Sequence, residues 1–224
     1  MPWPGWNGDT DTAWGTTDST VSGSTFDFSH EFYQLDGDAN GTEADNGFTC
    51  SGGRLSKLGD ETTIAMTPSG VFIGDSGPMN GGLVGMAEPA SAPDLTDGSD
   101  GLCAPGREYR GALFKHVTAG GGSEVKPIWA RPTGSHAIEG GEYTDFEGNV
   151  EDHVNVTQLA LDPVDPTKPN GLITGTLNDG TNHLFLIIAR RIGGKYMMFG
   201  ISLDNDGGGV PDPTRPYNFV VIER

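Results

Sequence analysis

The residues best suited to chemistry are Asp36-Gly37-Asp38-Ala39-Asn40-Gly41, which set oxygen-bearing side chains at alternate positions and follow them with a glycine that lets the backbone reverse. Calcium, a hard divalent cation with oxygen ligands, suits that arrangement. Asp36, Asp38 and Asn40 would offer side chains, Thr42 its carbonyl, and Glu43 or Asp45 would complete the shell. Counted from Asp36, the twelfth position is Gly47, where an EF-hand needs a bidentate glutamate. The expectation is therefore a non-helical calcium loop, weighed against an Asp/Gly turn whose side chains bond their own backbone. A second acidic run, Asp204-Asn205-Asp206-Gly207, with Asp212 close behind, has the same chemistry. Its three carboxylates repel one another unless a cation or solvent compensates, and a solvated glycine-rich turn is the competing reading.

Two other sets invite a catalytic or metal reading. Gly74-Asp75-Ser76-Gly77-Pro78, followed by Gly82-Leu83-Val84-Gly85, resembles the nucleophile segment of chymotrypsin-like serine proteases. That resemblance implies Ser76 as nucleophile, but only His30 precedes it, outside the sequence context of that family's histidine. A serine without an oriented base is a weak nucleophile. The fragment therefore reads as a turn running into a strand, and no catalytic residue is assigned. His116, His136, His153 and His183, with Met197 and Met198 as soft donors, would suit copper or zinc if a β-scaffold gathered them, although no spacing requires it. With 31 acidic residues, some pair of facing carboxylates is bound to occur, so a glycosidase reading gains nothing from their number.

Cys50 and Cys103 are the only cysteines and carry no zinc spacing. A disulfide between them is expected in an oxidising compartment, where closing a loop of this length contributes about 4 kcal/mol. The formal net charge of -18 repels phosphate backbones and argues against nucleic acid as a partner. It suits cation binding, or solubility in an extracellular or cell-surface setting. Protein or carbohydrate partners and a homo-oligomer stay open. No apolar run is long enough for a membrane helix, and the opening residues lack the pattern of a signal peptide.

Short β-branched and aromatic runs must hold these residues in place. Strands are expected near 25–32, 62–64, 70–73, 82–86, 112–117 and 154–161, followed by a meander through 171–177, 183–190, 195–203 and 217–222. Glycine or proline interrupts nearly every window a helix would need. The fold class is therefore all-β, an antiparallel barrel or a two-sheet sandwich with long Gly/Asp-rich loops and little helix. Residues 1–25, with Trp3, Trp6 and Trp14, read as an extended arm ahead of a single β-domain over 26–224. The polar stretch 87–106 reads as a mobile surface loop or an interaction loop. Arg107–Phe114 and Asn218–Ile222 resemble pieces of bacterial surface lipoproteins built as β-domains. The functional expectation is a non-enzymatic binding or structural module stabilised by calcium. The alternative is an assembling filament or virion-surface subunit that docks through its N-terminal arm, and a hydrolase or a histidine-based metal protein comes third.

Overall fold

The computed structural model describes residues 2–6, 12–34, 41–57, 59, 63–75, 82–86, 91–116, 123–142, 154–161, 172–177, 184–205 and 211–224. Among these residues there is no helix. The first eight strands are β1 (Pro2–Trp6), β2 (Thr12–Ser22), β3 (Thr25–Gln34), β4 (Gly41–Ser51), β5 (Arg54–Ser56), β6 (Thr63–Met66), β7 (Val71–Asp75) and β8 (Gly82–Met86). The second eight are β9 (Tyr109–His116), β10 (Ser123–Gly134), β11 (Ala137–Glu142), β12 (Val154–Leu161), β13 (Leu172–Leu177), β14 (Leu184–Ile192), β15 (Lys195–Asn205) and β16 (Pro211–Glu223).

The chain divides into two compact units, Met1–Glu88 and Pro89–Arg224. Each holds one antiparallel barrel in which consecutive strands pair and the last returns to the first. Closure is what a meander of short, twisted strands gains by removing its free edges. It settles the choice between barrel and sandwich. Residue 25 lies at the start of β3, inside the first unit. The residues read as an arm are two staves of that barrel: Pro2–Trp6 pairs with β2 and, through Gly5 and Trp6, with β8, while β2 pairs along its length with β3. The first core gathers Phe28, Phe48, Leu55, Ile64 and Phe72, with the rings of Phe28 and Phe48 edge to face at 5.2 Å.

In the second unit the period-2 alternation of each strand sends one set of residues inward. Tyr109, Ile138, Leu159, Ile173, Ile187, Met198, Phe219 and Val221 meet in one buried cluster, against which Leu113, Ile128 and Ala130 pack. The barrel curls tightly enough that neighbouring backbones nearly touch. A Cβ at Gly111 would lie 1.7 Å from the carbonyl oxygen of Val220, and one at Gly140 would lie 2.7 Å from that of Trp129, so only glycine fits at either place.

Candidate binding site in the second barrel

One end of the second barrel is sealed by residues 91–108, the stretch that reads from its composition as a loop. Leu95, Leu102, Cys103 and Ala104 are buried, and all but Ala104 belong to the barrel core. The backbone of the segment folds on itself, with Leu102 N bonded to Asp94 O at 2.7 Å and Cys103 N to Thr96 O at 3.2 Å. It is then tied to the staves around it. His136, in the β10–β11 turn at a φ of 60°, donates its N–H to Leu95 O and accepts from Leu159 N, both at 3.0 Å. Histidine tolerates this left-handed conformation better than most residues, and here it lets one backbone unit bridge plug and wall.

Side chains complete the seal. The Tyr109 hydroxyl donates to Leu102 O at 2.6 Å, and that of Tyr196 to Asp100 O at 3.0 Å. Arg107 donates to Gly101 O and Ser99 O and forms an ion pair with Glu223, their side chains only 11% and 13% exposed. Glu223 also accepts from Tyr196 N at 2.8 Å. Guanidinium carbons of Arg107 and Arg191 lie 5.3 and 5.6 Å from the centre of the Tyr196 ring, and Arg191 pairs with Asp100 at 2.9 Å. Burial raises the pKa of both tyrosines, so each stays a neutral donor at ordinary pH. Hydrogen bonds from Thr96 hold the Asp94 carboxyl below its ordinary value. A cleft of about 580 Å³ lies outside the plug, but its charges are spoken for: Arg107 pairs with Glu223, and Arg224 with Glu108 at 3.3 Å.

The other end has a different inner wall. Lys126 is the register partner of inward Leu113, and Glu142 that of inward Ile128, so both belong to the inner face. They form an ion pair at 3.9 Å with side chains 24% and 12% exposed. Nothing in the sequence marks this pair, because residues 126 and 142 lie on two strands that composition does not reveal.

The residues singled out from sequence fare unevenly. Asp36, Asp38, Asn40 and Asp206 lie outside the described residues, as do Ser76, His153 and His183. Thr42 and Asp45 are strand positions on β4, in register with Glu31 and Phe28. Half of the expected calcium loop is therefore sheet. Asp204 and Asp212 do meet, as register partners across β15 and β16. His116 ends β9 at the mouth of the barrel, whereas His136 sits at the plug. Among the described residues no three His, Cys, Asp or Glu gather as metal ligands. The expected disulfide is a correction: both thiols are free. Cys50 is exposed on β4 of the first unit, while Cys103 is fully buried in the core of the second, where desolvation raises its pKa. No helix of the described residues is long and apolar enough to cross a membrane.

No protein-family model and no curated protein matches the chain. Among solved structures it is similar to a protein of unknown function of the DUF3598 family from Nostoc punctiforme PCC 73102, at 12% identity and a TM-score of 0.35, over 100% of this chain and 93% of that one.

Proposed function

We propose that this chain is a non-enzymatic binding module whose second barrel receives a small, largely apolar ligand at the end opposite its plug. The observation that carries this reading is a closed eight-stranded barrel sealed at one end by residues 91–108. A barrel of eight strands is wide enough to be filled by its own side chains or to hold one small molecule, and barrel mouths are favoured ligand sites. Among the described residues the core of this barrel is largely apolar, with the Lys126–Glu142 pair towards the end away from the plug, a composition that suits such a site. The test is titration with the neutral fluorophore N-phenyl-1-naphthylamine. Saturable binding of one probe per chain is expected, lost in Ala130→Phe or Ile128→Trp, whichever keeps its thermal transition. Absence of saturable binding to the folded chain would overturn the reading.

Calcium in the acidic connections is a second element of the proposal. It is supported by strand order: the strands flanking residues 7–11, 35–40 and 76–81 end at one rim of the first barrel, where Trp6 pairs with Gly82. In the sequence the connections that follow those strands contain Asp9, Asp11, Asp36 and Asp38, and Asp75 ends β7. The register partnership of Asp204 and Asp212 adds support, since like charges opposite one another weaken a sheet unless compensated. Millimolar calcium belongs to an extracellular or cell-surface setting. Metal-stripped protein given calcium at 100 times its dissociation constant should gain about 2.7 kcal/mol and melt several degrees higher, an effect reduced in Asp38→Ala. An unchanged transition reduces the acidic runs to solvated turns.

A further inference from the structure

Over part of its circumference the second barrel is built from strands that are apolar on both faces. Tyr109, Ile128, Ile187, Met198 and Phe219 belong to the core, so the residues that alternate with them along β9, β10, β14, β15 and β16 stand on the outer wall. Register sets these side by side. One row runs from Ile188 through Phe199, Val220 and Ala112 to Pro127. A second runs from Met197 through Ile222 and Arg110 to Trp129, and a third pairs Phe114 with Val125. Strands that are apolar on both faces belong to sheets covered on both. Here the cover is partial: Ile188 and Phe199 are buried, whereas Ile222, Phe114 and Val125 are 48%, 43% and 58% exposed. Apolar residues that adjoin across the neighbouring strands β16, β9 and β10 form a patch, and such patches mark interaction surfaces.

The charges on this wall decide what fits it. In a chain with 31 acidic and 13 basic residues, no outward position of these five strands whose side chain is described is acidic, while Arg110, Arg131, Arg190 and Lys195 all stand there. Glu108 and Glu139 pair with Arg110 and Arg131 from the margin, which leaves the cations in excess. Two copies meeting through the same wall would therefore set cation against cation, an arrangement that like-charge repulsion disfavours. The first unit has the opposite character. Met1–Glu88 holds 13 acidic residues and only two cations, Arg54 and Lys57, and it leaves Val21 and Ile73 largely exposed.

We propose that the outer wall of β16, β9 and β10 docks the acidic first barrel of a second copy of this chain. Such a contact joins different surfaces of the two copies, so it propagates head to tail into a ring or a filament. It does not depend on a ligand inside the second barrel. Sedimentation velocity of the intact chain from micromolar to millimolar concentration should show species larger than the monomer that grow with concentration and recede as salt is raised. Val125→Glu and Phe114→Glu, both at exposed positions and each checked by its thermal transition, should weaken this association at least tenfold. Carbodiimide cross-linking of mixed isotopically heavy and light chains should join Lys195 of one copy to acidic residues within 1–88 of the other. A monomer at every concentration, or an association indifferent to whichever substitution leaves the chain folded, would overturn the proposal. Cross-links between copies confined to their second units, or an association that salt strengthens, would overturn it in favour of a face-to-face apolar contact.

Discussion

Replacing Arg107 by alanine should loosen the plug of the second barrel before any other part of that unit. Its guanidinium satisfies two carbonyls of the plug and pairs with Glu223, both side chains nearly nine-tenths buried. Removing one partner of a buried ion pair costs about 3–5 kcal/mol, because the other charge stays desolvated. For a unit of this size that lowers the melting temperature by roughly 10–15 °C. Hydrogen exchange read by mass spectrometry localises the effect: the amides of Leu102, Cys103 and His136, which donate within the plug or from the wall to it, should exchange faster than those of β13–β15. Glu223→Gln keeps an acceptor for Tyr196 N, so Arg107→Met with Glu223→Gln should lose less than the sum of the single changes. A loss below about 1 kcal/mol, the level of an exposed pair, would refute this account. So would a uniform rise in exchange with no excess at 102–103.

Three further outcomes follow from the same geometry. Tyr109 has its pKa raised by burial, so its contribution is complete below the unfolded value near 10 and declines as pH rises above it, by about 1.4 kcal/mol per pH unit; alkaline denaturation should be steepened by this amount, and Tyr109→Phe should make it shallower, leaving the share of Tyr196, while losing about 1 kcal/mol at neutral pH. A maleimide should label Cys50 in the native protein and Cys103 only on unfolding, since Cys50 is exposed while burial both shields the Cys103 thiol and raises its pKa; labelling of both at equal rates would contradict the buried position. Deleting residues 1–25 should unfold the first unit by removing two staves, seen as loss of its cooperative transition. A deletion that leaves this transition intact would return the segment to the role of an arm.

The sequence was legible where the strands are apolar. The meander β13 to β16 follows from runs such as Leu184–Ala189 and from the Gly193-Gly194 turn, whose φ values of 60° and 86° only glycine adopts readily. β4 was hidden because Gly-Thr-Glu-Ala-Asp-Asn-Gly has the composition of a turn, and β10 because Pro127 and Pro132 interrupt it. The two-barrel division was hidden because residues around Glu88 look like every other connection. The plug was illegible for a further reason. Its order comes from Tyr196 and Glu223, partners roughly a hundred residues away, and local propensity carries no trace of them. The inward Lys126–Glu142 pair shares that fate, since its two strands were not visible.

The dependence of the second barrel on β16 also sets a schedule for synthesis. The first barrel closes with β8 and can be complete while the rest of the chain is still being made. The second cannot close until Pro211–Glu223 has left the ribosome to bridge β15 and β9, and its plug cannot lock until Glu223 reaches Arg107. Until then β9 and β15 each present an unpaired edge, the condition under which nascent chains pair wrongly with their neighbours. A pause in translation before residue 211 would therefore endanger the second barrel and spare the first.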